Sequence, residues 1–186
     1  MKKIAIAIVI MIVMLVFGTS NLMAQFNFNL NQIGGFGGYV SPEDPIGSTF
    51  GFGARANLGS YGNKAELIGE FFYWSKSYDY GVYSSTWTWS QMYFNALAKY
   101  AFSAKGSVKP YAIAGLGLVI GNWKWKSSYA AYNGSESDSE IGFNFGGGID
   151  FKVSPNMTGF AEARFNTGEA NMFGILGGVM LNLNKK

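Results

Sequence analysis

Residues 141–152 read Ile-Gly-Phe-Asn-Phe-Gly-Gly-Gly-Ile-Asp-Phe-Lys, and this run decides the fold class. Its large apolar residues stand at one parity: Ile141, Phe143, Phe145, Ile149 and Phe151. The other parity holds glycines and the polar residues Asn144, Asp150 and Lys152. A period of two predicts a β-strand with one apolar face and one polar or small face. Because glycines suit a cramped polar interior, the run is typical of a transmembrane β-barrel, which is apolar outside and polar inside.

The first 24 residues predict an export signal. Two lysines precede an apolar stretch at 4–17, and Leu22-Met23-Ala24 offers a cleavage site. The alternative is a transmembrane anchor, but the apolar stretch is shorter than the roughly 20 residues that a spanning helix needs. We therefore predict a signal peptide at 1–24 and one barrel domain at 25–186.

The composition of the chain excludes several classes of function. Charged residues make up 13% of the sequence, about half of the usual share of roughly 25% for a soluble domain. The chain holds 14 basic and 11 acidic residues. Without the two lysines of the predicted signal peptide, 12 basic residues remain against 11 acids, so the charge predicts no nucleic-acid partner. Cysteine and histidine are absent, which removes disulfides, thiol nucleophiles and imidazole bases.

Turn residues divide the predicted barrel into eight strand candidates. The first candidate begins at 26 or 33 and ends at 40, and the fourth ends at 102. The other six span 49–59, 64–77, 109–125, 141–152, 157–166 and 172–184. Tight turns at 60–63, 104–107 and 154–156 alternate with longer connections at 41–48, 78–85, 126–139 and 167–171. Outer-membrane barrels alternate in this way, with the short turns on the periplasmic side. The pattern predicts an all-β, eight-stranded antiparallel up-and-down barrel.

Polar residues on the small-residue parity of these strands predict a polar barrel interior. The set comprises Arg55, Asn57, Glu66, Glu70, Asn95, Lys99, Asn144, Asp150, Lys152, Glu162 and Arg164. An eight-stranded barrel is just wide enough for side chains to fill it, and isolated buried ions cost several kcal/mol each. We therefore predict a salt-bridged plug. The alternative is a conduit lined by the same residues.

Aromatic residues near the predicted strand ends favour two interfacial girdles. Tyr100 and Phe102 end the fourth strand at a turn, and Trp123 and Trp125 end the fifth strand near a loop. Amphipathic rings are enriched at the two membrane interfaces. For the tryptophans, the alternative is packing inside the protein.

Two stretches resemble a known family. Residues 110–118, Pro-Tyr-Ala-Ile-Ala-Gly-Leu-Gly-Leu, resemble a strand of the small outer-membrane barrels of the OmpA/OmpX-like superfamily. Residues 142–166, with Gly-Gly-Gly-Ile-Asp-Phe-Lys-Val-Ser-Pro-Asn and Phe-Ala-Glu-Ala-Arg-Phe, are similar to the final hairpin of that family. The resemblance implies an outer-membrane location, contact with outer-membrane lipid, and insertion by the outer-membrane insertion machinery.

The residue types predict no enzyme activity, cofactor or metal. Lipid-A-modifying barrels rely on a histidine, which this sequence lacks. Glu136, Asp138 and Glu140 alternate in the longest predicted loop, where a calcium site is the alternative to a solvated acidic loop.

A segment rich in tyrosine, tryptophan and serine lies around the predicted loop at 78–85. It includes Tyr78, Tyr80, Tyr83, Ser84, Ser85, Trp87 and Trp89. Such residues suit adhesive contacts, so we predict a structural or adhesive role with host or cell-surface ligands. The alternatives are a small channel for ions or small solutes and a soluble lipocalin-like carrier, which also has eight strands.

Overall fold

A computed structural model describes residues 26–61, 65–80, 85–102, 106–127, 133–168 and 170–183. These residues form eight strands: β1 (Phe26–Pro42), β2 (Thr49–Tyr61), β3 (Ala65–Tyr80), β4 (Ser85–Ala101), β5 (Val108–Lys126), β6 (Gly134–Ser154), β7 (Met157–Asn166) and β8 (Met172–Asn182). Each strand pairs antiparallel with the next, and β8 pairs with β1 to close the barrel. The predicted eight-stranded up-and-down barrel is confirmed.

The predicted signal peptide lies outside the described residues. Within the described ranges, no helix has the length and apolarity that a helical membrane span requires.

The two faces of the barrel wall differ in the way the strand periodicity predicts. Large apolar side chains point outward and stay exposed, including Phe50 at 74%, Phe143 at 59% and Ile175 at 57%. Arg55, Glu162 and other charged side chains point inward and are buried. In water this arrangement would expose a continuous apolar surface, whereas lipid tails solvate it.

The outward face of β3, β4 and β5 changes from apolar to polar within one step along the strands, and on β6 the change lies one outward position deeper, between Ile141 and Ser139. One cross-strand row of outward side chains on β3, β4 and β5 consists of Tyr73, Met92 and Ile120. The next row consists of Ser75, Ser90, Asn122 and Ser137. Because lipid solvates the first row and water solvates the second, we place the outer membrane boundary between them.

Beyond this boundary the same four strands continue as a sheet that projects from the barrel. We call residues 75–80, 85–90, 122–126 and 134–139 the outer extension. The predicted loops at 78–85 and 126–139 were therefore too long, because β5 and β6 stay paired as far as Trp125 and Gly134. Residues 135–140, Ser-Glu-Ser-Asp-Ser-Glu, are polar at both parities. A strand with water on both faces lacks the apolar alternation that marks a half-buried strand.

Gly146 on β6 allows a close approach to β7. It faces Arg164 across the strand pair, and a Cβ atom at Gly146 would lie 2.3 Å from the Ala163 carbonyl oxygen and 2.8 Å from the Arg164 Cα. These neighbours are backbone atoms, so a larger residue would push the two strands apart.

We therefore expect Gly146→Ala to destabilise the barrel by about 1–3 kcal/mol, the usual cost of overpacking. Urea unfolding in lipid vesicles, followed by tryptophan fluorescence, measures this change. Gly35→Ala is the matched control, because a Cβ atom there would meet only the Gly53 carbonyl oxygen at 3.8 Å. Equal midpoints for the two variants would contradict the close-packing argument.

Candidate functional site

The centre of the barrel holds buried ion pairs between neighbouring strands. Arg55 on β2 lies directly across from Glu70 on β3. The Arg55 Nε and Nη2 atoms donate to Glu70 Oε2 at 2.9 and 2.7 Å. The same guanidinium spans the lumen and donates to Glu162 Oε1 and Oε2 at 3.1 Å. Arg55 therefore links opposite walls of the barrel.

Arg164 completes the set from β7. Its Nη2 and Nη1 atoms donate to Glu70 Oε1 and Oε2 at 2.7 and 3.1 Å, and its Nη1 lies 3.4 Å from Glu162 Oε1. The side chains of all four residues are at most 3% exposed. Two arginines and two glutamates balance each other's charge, and each ion contacts both ions of opposite sign.

Neutral side chains satisfy further oxygens of this cluster. Asn95 Nδ2 donates to Glu70 Oε1 at 3.0 Å, and Asn144 Nδ2 donates to Asn95 Oδ1 at 3.2 Å. The Tyr111 hydroxyl donates to Glu162 Oε2 at 2.8 Å. We call these seven residues the central network: Arg55, Glu70, Asn95, Tyr111, Asn144, Glu162 and Arg164. Tyr111 was missed in the sequence analysis, although it has the inward parity of β5.

A second ion cluster lies nearer the periplasmic end. Lys99 Nζ lies 2.5 Å from Asp150 Oδ2 and 3.6 Å from Glu66 Oε2. Glu66 and Lys99 face each other across β3 and β4. These residues line an open cavity of about 430 Å³ at the periplasmic mouth, together with the exposed Lys152.

The predicted interior set therefore divides into two clusters and two separate residues. Six of its members meet in the central network, and Glu66, Lys99 and Asp150 form the second cluster. Lys152 lies at the periplasmic mouth. Asn57 is buried, and its Oδ1 accepts a hydrogen bond from the Gly59 backbone N–H at 3.0 Å. This bond supports the register shift of β2 between Asn57 and Gly59.

On the outer side of the network, the lumen holds an apolar layer that the sequence analysis did not predict. Phe72, Trp74 and Tyr93 are completely buried there. Ile46, from the segment between β1 and β2, is 3% exposed and packs in the same cluster. Parity alone places these side chains inward, but apolar residues on both faces of a strand hide that signal.

Trp123 and Trp125 require a correction. Both have the inward parity of Val119 and Gly121, and both lie beyond the outer boundary. The ring of Trp123 lies against Trp89 with centroids 3.7 Å apart, and Trp125 lies 6.2 Å from Trp87. A lipid-facing girdle needs the opposite face, so these two residues do not belong to one.

The other two girdle residues point outward. Tyr100 is 44% exposed and Phe102 is 49% exposed, and their ring centroids lie 5.5 Å apart. Their role as a periplasmic girdle stays a prediction. At the outer end, Tyr39 and Phe50 occupy the outward face with ring centroids 5.9 Å apart.

A pocket of about 460 Å³ lies at the outer mouth, between the outer extension and the segment that joins β1 to β2. We call it the aromatic pocket, and its main lining residues are Pro45, Ile46, Tyr78, Trp87, Trp89 and Trp123. Lys76 Nζ donates to the Ser48 carbonyl oxygen at 2.9 Å. This bond ties the segment between β1 and β2 to the outer extension.

The acidic residues near the outer mouth do not converge. Glu136, Asp138 and Glu140 are exposed at alternate positions of β6. Among the residues that the structure describes, no three acidic, histidine or cysteine side chains form a group that could hold a metal ion.

Comparison with known proteins assigns the family. The family model for the outer membrane protein beta-barrel domain matches residues 10–183. The chain belongs to this family. It is an outer-membrane β-barrel protein, and its apolar outward face is the surface that meets the lipid. No curated protein sequence matches it significantly.

Three solved barrels are similar to this family member in fold. Neisserial surface protein A is 19% identical with a TM-score of 0.61, and the match covers 82% of this chain and 96% of that one. Ail of Yersinia pestis, in complex with the heparin analogue sucrose octasulfate, is 19% identical with a TM-score of 0.57, covering 82% and 99%. The N-terminal barrel of Pseudomonas aeruginosa OprF is 18% identical with a TM-score of 0.52, covering 83% and 98%. At these identities the similarity concerns the fold.

The central network predicts a large stability difference between two identical chemical changes. Glu70→Gln would leave Arg55 and Arg164 with one buried carboxylate, so we expect a loss of about 3–5 kcal/mol in unfolding free energy. Glu66→Gln should cost less than about 1 kcal/mol, because Glu66 is 34% exposed in its side chain and Lys99 keeps Asp150.

Urea unfolding of both variants in lipid vesicles measures the difference, with folded barrel quantified by its heat-dependent shift on SDS gels. If Glu70→Gln unfolded at the same urea concentration as Glu66→Gln, the central network would not stabilise the barrel.

Proposed function

We propose that this outer-membrane barrel is a surface-interaction protein whose lumen is closed to solutes and whose outer extension contacts ligands outside the cell. The observation that carries the proposal is the reversal of polarity at the outer boundary. Within the membrane the barrel is apolar outside and charged inside. In the outer extension, the outward face carries serine, threonine, lysine, Asn122 and Asp79, and the inward face carries the tryptophans and Tyr78 together with Lys76, Glu136 and Asp138.

The edge of the outer extension supports this role. In the described residues, β6 pairs with β7 only up to Asn144 and Asn166, while it pairs with β5 as far as Gly134. Phe143 still bonds to Thr167 through its backbone N–H and C=O. Beyond Phe143, the β7-facing edge of β6 presents backbone groups that another extended chain could pair with. β6 has 21 residues, whereas a transmembrane strand needs only about 9–11. The part of β6 beyond the lipid is therefore not needed to span the membrane.

The central network supports a closed lumen. It lies between the periplasmic cavity and the apolar layer below the aromatic pocket. An ion that passed through would have to separate arginine–glutamate pairs that are at most 3% exposed. Breaking such a pair costs about 3–5 kcal/mol, which makes a permanently open channel unfavourable.

The soluble-carrier alternative is excluded. A carrier of the lipocalin type holds an apolar interior and a polar exterior, whereas this barrel has charged residues at its centre and exposed phenylalanines outside. Membership of the outer-membrane barrel family also argues against a soluble carrier.

A conductance experiment tests the closed lumen. Purified protein in planar bilayers should show no steady open current, since the paired charges fill the interior. Glu70→Gln together with Arg55→Gln should show at least transient openings, because two of the four ions are removed. Steady currents from the wild-type protein would favour the channel alternative.

A shortened hairpin tests the surface role. Joining Asn122 to Ser137 through an Asn-Gly turn removes the tip of β5 and β6 and keeps their pairing register. We expect bacteria that carry this variant to attach to host epithelial cells or extracellular matrix several-fold less than bacteria with the wild-type protein. The heat-dependent gel shift of the variant verifies that the membrane barrel still folds. Equal attachment would contradict the role of the outer extension.

A further inference from the structure

We infer that the aromatic pocket binds an uncharged carbohydrate, with a pyranose ring stacked on its tryptophans and with sugar oxygens accepting hydrogen bonds from buried N–H groups. The inference rests on the proposed surface-interaction function and names the class of ligand. It combines four observations: the walls of the pocket, its unpaired donors, the charge around it and its size.

The walls of the pocket offer flat aromatic surface. Tyr78 and Trp87 face each other across β3 and β4, and Trp89 faces Trp123 across β4 and β5. The face of an aromatic ring is electron-rich, and the C–H groups on the flat side of a pyranose ring carry partial positive charge. Three indoles and one phenol are therefore suited to stack against sugar rings.

Unpaired donors lie in and directly below the pocket. Trp89 Nε1 is buried and has no hydrogen-bond partner among the described residues. The next inward positions along β3 and β4 are Trp74 and Gln91, which face each other, are completely buried, and have unpartnered Nε1 and Nε2 atoms.

All three of these groups are uncharged N–H donors. Leaving a buried donor unpaired costs about 1–3 kcal/mol, so the site favours a ligand that supplies acceptor oxygens without carrying a charge. Sugar hydroxyl and ring oxygens are such acceptors. Trp89 Nε1 is the donor in the pocket lining itself, and Trp74 and Gln91 lie one cross-strand row deeper.

The charge near the outer mouth excludes a polyanionic sugar as the preferred ligand. In the described part of the chain beyond the outer boundary, five acids outnumber three lysines: Glu43, Asp44, Asp79, Glu136 and Asp138 against Lys76, Lys124 and Lys126. Lys76 is already bonded to the Ser48 carbonyl oxygen. A sulfated chain would meet net repulsion here.

A cationic ligand is disfavoured for a different reason. The described lining of the aromatic pocket contains Lys124 and no carboxylate. Glu136 faces Trp123 across β5 and β6 with the same inward parity, but it is exposed and does not line the pocket. An uncharged ligand avoids both penalties. The volume of about 460 Å³ lies within the range of roughly 300–1,000 Å³ that is usual for small-ligand sites.

An oligosaccharide array tests the inference with the full-length protein in lipid nanodiscs. One arm displays uncharged mammalian oligosaccharides, a second displays uncharged bacterial surface oligosaccharides, and a third displays sulfated glycosaminoglycan fragments. We expect binding in the first or second arm, which identifies the source, and a change in tryptophan fluorescence when the same free oligosaccharide is titrated.

Two variants at residues of equal exposure distinguish binding in the aromatic pocket from non-specific hydrophobic binding. Trp87 in the pocket is 48% exposed, and Phe102 at the opposite end of the barrel is 49% exposed. Trp87→Ala should weaken oligosaccharide binding at least tenfold, whereas Phe102→Ala should leave it unchanged. If Trp87→Ala lost the heat-dependent gel shift, Tyr78→Ala would provide the same test on the other side of the pocket.

The inference is overturned if no uncharged oligosaccharide binds, if only the sulfated arm binds, or if the pocket variants bind as tightly as the wild-type protein. The attachment assay with the shortened hairpin separates this failure from failure of the proposed function. Hairpin-dependent attachment without oligosaccharide binding would refute the carbohydrate ligand alone. Oligosaccharide binding without hairpin-dependent attachment would refute the adhesive role and leave the pocket assignment intact.

Discussion

The structure depends on the pairing of Glu70 with two arginines in the middle of the barrel. A closed eight-stranded wall in lipid encloses little space, and the four charged side chains at its centre are at most 3% exposed. Arg55 and Arg164 reach Glu70 from different strands, and both also contact Glu162. The network therefore connects β2, β3 and β7 across the lumen, and the glycines at neighbouring inward positions leave room for it.

The same wall meets two solvents along its length. Lipid requires an apolar outward face, and this requirement ends at the row beyond Tyr73, Met92 and Ile120. Past that row the outward face becomes polar, so the aromatic side chains of the outer extension collect on its inward face. A pocket with indole walls at the outer mouth follows from this reversal, since the sheet continues beyond the lipid without a change of register.

In the proposed function, ligand contact is separated from the membrane-spanning part of the chain. The central network and the apolar layer occupy the interior of the barrel, where the four central charged side chains are at most 3% exposed. The outer extension adds surface that a membrane span does not need.

The period-two pattern by itself determined the strand count, the closed antiparallel topology and the inward parity of Arg55, Glu70, Glu162 and Arg164. It could do so because lipid outside and a narrow lumen inside impose opposite chemistry on alternate residues. Only the tertiary structure decided which charges pair, because register and strand tilt bring Arg55 to Glu162 across 107 positions of sequence. It also decided the face of Trp123 and Trp125. An aromatic residue near a strand end is typical of an interfacial girdle. These two tryptophans, however, lie beyond the membrane boundary, where the outward face meets water and the aromatic side chains point inward.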